Sequence, residues 1–224
     1  MSGRGGSRWA LAVVAAGLAV WLAARGGGHL GPAGPAASPP RATASGAASA
    51  GGADDTPSPS ASDAYDPAHF ATQVRTRATA AGIDPQLLMA ILYNESYKPH
   101  DPAFERAWQQ LKPDSAFGIA NMHRAAFDDT KRGRDFADRD WDELPGDPDL
   151  AIEAAAWYLH DLGAQLPAHW SAGYTRDDLL ALGYNTGAGN MLIFARGTSL
   201  GPAAQSYLNQ LHGNWTKAAA ALAG

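Results

Sequence analysis

Between residues 26 and 64 the chain is written almost wholly in Gly, Pro, Ala, Ser and Thr, as in GPAGPAASPP and TPSPSAS. That stretch decides where folding can happen. With so few large apolar side chains it has nothing to bury that would offset its ordering entropy, so it is expected to be a disordered linker. Whatever folds must fold within residues 65–224, a length that sustains one core. Ahead of the linker, residues 9–24 read WALAVVAAGLAVWLAA, with Arg4 and Arg8 before them and Arg25 directly after. At about 1.5 Å per residue this run is slightly short for a bilayer core of roughly 30 Å. Residues 1–25 are therefore expected to be a signal peptide or an N-terminal transmembrane anchor that meets the membrane. No A-x-A site stands directly after the run, where Arg25 and three glycines follow, which leaves the choice between them open. Either role implies export to the cell envelope or beyond.

Within residues 65–224 the dominant period is helical. Phe70, Val74, Ala78 and Ala81 share one face of a helix expected over 67–81, and Gly82 is a natural stop. Asp84–Pro85 and Asp147–Pro148 each pair a capping acid with a proline at the first helical position. The first opens a helix ending at Glu95 and Ser96; the second opens DLAIEAAAWYLHDLGAQL, the longest helical pattern. Phe104, Ala107, Trp108 and Leu111 are spaced for a third short helix. A loop at PDSAFGIANM should lead into a helix near 121–130, and residues 131–146 are expected to be an exposed excursion. TRDDLLALGYN opens on a threonine cap and ends at the glycines of TGAG. Short helices over 189–196, 202–211 and 214–222 are expected to close the chain. Runs of β-branched residues are few, so the fold class is all-α or mostly α.

Composition excludes several chemistries. The net charge is −5 and no basic stripe is present, which argues against a nucleic-acid partner. Without cysteine there is no disulfide, thiol nucleophile or lipid-modified cysteine. The histidines show no metal-ligand spacing, and neither a G-x-S-x-G elbow nor a P-loop occurs. No cofactor or metal is expected, and nothing identifies a protein partner.

One acidic residue stands out. In LLMAILYNES, Leu88, Ile91 and Glu95 fall at i, i+3 and i+7, so the carboxyl shares a face with leucine and isoleucine. Such a group either escapes to solvent at the helix end or is kept inside for a reason. Lost hydration disfavours the charged form, which is what a general acid near neutral pH requires.

Four segments in order then carry a resemblance: NES (94–96), FGIANM (117–122), DPDLAIEAAAWYLHDL (147–162) and LGYNTG (182–187). Together they resemble the SLT-type lytic transglycosylases of the lysozyme-like superfamily, over roughly residues 70–196. The resemblance implies a mostly helical, α+β lysozyme-like domain over 65–224, with a groove for the glycan strands of peptidoglycan. It implies that Glu95 is the sole catalytic carboxyl, cleaving the MurNAc–GlcNAc bond with formation of 1,6-anhydro-MurNAc. Ser96 is then expected to bond near the reacting sugar, and Tyr184 to reach Glu95. Asn185 would support the turn or the cleft wall. Gly118 would let the backbone approach the sugar, with Asn121 and Met122 completing that substrate-contacting segment.

The chain also departs from the family pattern. Asn121 stands where a longer Gln is usual, Gly183 replaces an Ala, and YKPHDPAFERAWQQLKP replaces a polar, glycine-rich loop. Two alternatives stay open. A hydrolytic muramidase of the same fold would need a second carboxylate, with Asp101, Glu105 and Asp114 the nearest in sequence. A non-catalytic peptidoglycan-binding module would need the groove but not the acid. Trp108, Trp141, Trp157 and Trp170 are possible sugar platforms, although aromatic residues in a small helical domain more often belong to the core, Trp157 above all.

Overall fold

From Leu87 to Glu95 every residue of one helix is buried, and the rest of the fold is arranged around it. A computed structural model describes residues 65–96 and 100–224. The expected leader or anchor (1–25) and the linker (26–64) lie outside the described residues, as do residues 97–99.

The elements are α1 (Ala71–Ala81), α2 (Pro85–Glu95), α3 (Pro102–Leu111), β1 (Ala116–Phe117), β2 (Met122–His123), α4 (Arg124–Thr130), α5 (Pro148–Gln165), α6 (Arg176–Thr186), α7 (Ala188–Ala195) and α8 (Pro202–Ala223). The molecule is mostly helical, as the periodicity predicts. Expected start and stop signals operate in the structure. Asp84 accepts the Gln86 N–H at 2.7 Å, Asp147 the Leu150 N–H at 3.0 Å, and Thr175 forms a capping box with Asp178. Gly82 ends α1 with φ +67°, a left-handed conformation glycine adopts without a Cβ penalty.

Helix α2 has no polar stripe because it is central: α1, α6 and α8 pack on it. Each fully buried Leu or Ile there contributes roughly 1.5–3 kcal/mol. Helix α5 packs on α1, α4 and α6, and Arg77 of α1 bridges to Asp149 and Glu153 of α5. Gly183 has a packing reason. A Cβ there would lie 2.8 Å from the Met191 sulfur and 3.2 Å from Leu162 Cδ1, so its absence lets α6 approach α7 and α5 closely.

Four expectations need correction. The segment 67–81 is divided, with a 3-10 turn at Pro67–Phe70 before α1. A two-residue antiparallel hairpin, pairing Ala116 with His123 and Phe117 with Met122, precedes the helix expected near 121–130. Strands this short carry no readable alternation. The excursion 131–146 is anchored: Phe136, Trp141 and Leu144 are buried, and the Trp141 indole N–H donates to the Met122 carbonyl at 2.8 Å. Finally, 202–222 lies within one continuous helix, the longest among the described residues. Gly213 does not break it because the opposite face of α8, through Tyr207, Leu208, Leu211 and Ala218, is buried and the helix is held against α2, with Gln86 Nε2 donating to the Trp215 carbonyl at 3.0 Å.

Candidate active site

Glu95 does not escape to solvent. It is the last residue of α2, only 6% exposed, and its two oxygens are held from two directions. Tyr207 of α8 donates its hydroxyl to Oε1 at 2.9 Å, and Asn121 donates its side-chain amide to Oε2 at 2.9 Å. Two such bonds on different oxygens fix both the plane and the direction of the carboxyl group.

Each donor is placed by local geometry. Asn121 lies in the turn between β1 and β2, where its N–H bonds the Gly118 carbonyl at 2.8 Å and its φ is +48°. Asparagine is among the few residues that tolerate this left-handed region. The position thus aims a short amide at the acid. On the other side Asn94 fastens α2 to α8: its amide donates to the Tyr207 carbonyl at 3.1 Å, and its oxygen accepts from Asn214 at 2.8 Å. Tyr207 is consequently held at its backbone by one residue of α2 and at its hydroxyl by the next.

Tyr184 is brought near but does not make the expected contact. Its hydroxyl donates to the Ala120 carbonyl at 2.7 Å, and its ring stands edge-on to Tyr158 at 5.5 Å. It therefore braces the turn that carries Asn121, while Tyr207 takes the position at the acid. Burial, with the nearby Glu95 charge adding to it, pushes both phenols well above their usual range, so both stay hydroxyl donors.

The other expected residues divide. Ser96 lies beside Glu95, but its hydroxyl donates back to the Leu92 carbonyl at 2.7 Å, a helix-end bond that leaves only its oxygen lone pairs for a sugar. Asn185 is exposed on α6 next to Tyr184. Gly118 serves packing rather than an open approach. Its φ is +74°, a Cβ would lie 2.9 Å from the Leu144 carbonyl oxygen, and its N–H donates to Glu105 Oε2 at 2.9 Å. Met122 is 2% exposed, so its side chain is core.

The sequence neighbours that could have supplied a second carboxylate have other tasks. Asp101 caps α3 by accepting the Phe104 N–H at 2.8 Å, and Glu105 is buried between His100 and Gly118. Asp114 is exposed ahead of β1. Two surface depressions of about 430 and 490 Å³ are lined by other residues, the first by Arg77, Arg134, Glu153 and Trp157, the second by Gln109, Arg124 and Trp141. Neither includes Glu95, so concavity alone does not mark the chemistry. Among the described residues no group of His, Asp and Glu is arranged to hold a metal ion.

Sequence reasoning missed Tyr207, Asn94 and Asn214. For Tyr207 a signal existed: it shares a helical face with Ala204, Leu208 and Leu211, and a tyrosine on an apolar face needs a partner for its hydroxyl.

What this arrangement offers chemically is one buried carboxyl, held by neutral donors at both oxygens, at the junction of α2, α8 and the β1–β2 turn. Among proteins of known type, the model of the transglycosylase SLT domain matches residues 73–196, from α1 through α7. A search of curated proteins and a search of solved structures each gave no match. The match spans more than half of the chain and contains Glu95, Asn121 and Tyr184, while Tyr207 lies beyond it. The chain belongs to the transglycosylase SLT domain family, lysozyme-like in type, whose substrate is peptidoglycan.

Proposed function

We propose that this protein is a peptidoglycan lytic transglycosylase in which Glu95 is the only catalytic carboxyl. The observation that carries the proposal is the burial of Glu95 with Tyr207 and Asn121 on its two oxygens. In the first step protonated Glu95 gives its proton to the glycosidic oxygen between MurNAc and GlcNAc, and the C1–O bond breaks. In the second, the Glu95 carboxylate takes the proton of the MurNAc C6 hydroxyl as that oxygen bonds to C1. The 1,6-anhydro ring closes, the acid is regenerated and no water is consumed. One carboxyl suffices because the nucleophile is already part of the substrate, at high effective molarity.

Tyr207 and Asn121 keep the carboxyl aimed through both steps. The Tyr207 hydroxyl donates to the carboxylate and, by rotating, accepts when the carboxyl is protonated. Ser96, next to Glu95 in the chain, and Asn185 would contact the flanking sugars. The domain would comprise residues 65–224, working outside the cytoplasmic membrane. Residues 9–24 would deliver it there, and residues 26–64 would space it from its point of attachment or cleavage.

The test is release of soluble fragments from purified peptidoglycan by the full chain, with Glu95→Gln beside it. The amide keeps the shape, its oxygen accepting from Asn121 and its NH2 donating to a rotated Tyr207 hydroxyl, but it has no acidic proton to give. Wild-type release with a loss of at least about a thousandfold in the variant is expected. Equal rates would remove Glu95 from the mechanism.

A further inference from the structure

Helix α3 is built inside out. Its buried side chains are Glu105 and Gln109, at 4% and 8% exposure, whereas Phe104, Trp108 and Leu111 are 64%, 41% and 73% exposed. Among the described residues the large apolar side chains left exposed are these and Ile193. The helical spacing of Phe104, Trp108 and Leu111 would ordinarily make them the core face. Here a polar attachment turns the helix over. Asp101 caps its start, Glu105 Oε1 lies 3.1 Å from His100 Nδ1, and Glu105 Oε2 accepts the Gly118 N–H at 2.9 Å. Buried carboxylates are costly unless hydrogen-bonded, so this attachment fixes which way the helix faces. It also ties α3 to the turn that presents Asn121 to Glu95.

On the outer face the Phe104 and Trp108 rings lie nearly parallel, 11° apart in plane with centroids separated by 6.1 Å. Lys112 Nζ lies over the Trp108 ring, 5.9 Å from its centroid, which puts an ammonium donor at this aromatic pair. Parallel exposed rings with an adjacent donor suit the apolar C–H face and hydroxyl edge of a pyranose. We infer that the outer face of α3, the helix tied through Glu105 to the turn that carries Asn121, is an accessory sugar-binding platform for the glycan strand. This rests on peptidoglycan being the substrate.

Size favours a sugar over a protein partner. The exposed parts of Phe104, Trp108 and Leu111 amount to roughly 300–400 Å². That is about half or less of the ~800 Å² each partner gives to a stable protein interface, and it is a fair match to one or two sugar rings.

The test is co-sedimentation of the full chain with purified peptidoglycan, in a Glu95→Gln background so that nothing is cut. Adding Phe104→Ala and Trp108→Ala should weaken retention about tenfold, and restoring an aromatic with Trp108→Tyr should recover most of it. Neither ring belongs to the buried core, so the unfolding midpoint should drop by only a few degrees, leaving the variant folded at the assay temperature. Retention within about twofold of the parent would overturn the platform. So would light scattering that shows the double substitution converting a dimer to a monomer, since the face would then join two copies. The products made by the chain with Glu95 intact are read separately. Reducing ends in place of anhydro ends would sink the transglycosylase reading and leave the platform standing, whereas anhydro ends with unchanged retention would sink the platform alone.

Discussion

Tyr184 and Tyr207 both lie in the field of Glu95, yet they do different work, and substitutions should separate them. Tyr207→Phe keeps the ring in the α2–α8 interface and removes only the hydroxyl bonded to Oε1. A hydrogen bond to a charged group contributes about 1.5–3 kcal/mol. Steady-state kinetics should therefore show kcat lower by about 10- to 100-fold with KM little changed. Tyr184→Phe frees the Ala120 carbonyl and loosens the turn that carries Asn121, so its loss should be shared between KM and kcat. If the two variants behave alike, the assignment of Tyr207 as the residue that aims the acid is wrong. Gly118→Ala probes the same turn from its other end. The left-handed φ and the 2.9 Å approach to Leu144 predict a destabilisation of about 2 kcal/mol, seen as a midpoint lower by roughly 4–8 °C.

At the scale of the element, α8 shows what can and cannot be read from a chain. The Asp–Pro starts of α2 and α5 are legible because the cap and the proline act within one turn. The break expected at Gly213 does not occur, since helix continuity there depends on packing against α2, far away in sequence. A Cβ at Gly213 meets nothing within 4 Å and the residue is exposed, so Gly213→Ala should stabilise the protein by roughly 0.5–1 kcal/mol in denaturant unfolding. A loss of stability would mean that the glycine has a role its surroundings do not suggest. Helix α3 teaches the complementary lesson. Its existence follows from spacing, but its orientation is set by a buried glutamate that periodicity places on the wrong face. The site divides in the same way. Glu95, Asn121 and Tyr184 lie in segments with recognisable neighbours, whereas Tyr207 meets Glu95 across 112 positions of sequence and only the fold brings them together.

For the whole molecule, pH should act on stability through carboxylates away from Glu95. Burial raises the Asp178 carboxyl, but the bonds from His212, 2.6 Å away, and from Thr175 outweigh it and hold the group below its ordinary value. The Arg139 guanidinium holds Glu143 down in the same sense. A carboxyl depressed in the folded state favours folding above its unfolded pKa, and that contribution is lost as pH falls through the folded value. The thermal midpoint should accordingly drop as pH goes from about 5 to about 3. Asp178→Asn keeps one acceptor oxygen for the cap of α6 and removes the titrating group, so its midpoint should fall less steeply over that range. An identical slope would show that Asp178 is not part of the acid sensitivity.

In the proposed reaction one carboxyl acts twice and the substrate supplies its own nucleophile. Digesting peptidoglycan with the full chain in ¹⁸O-labelled water and weighing the fragments by mass spectrometry separates this from hydrolysis. Anhydro-muramic ends with no label taken up from solvent are expected. Reducing muramic ends carrying ¹⁸O would overturn the mechanism, because water would then be the nucleophile and a second group would have to activate it.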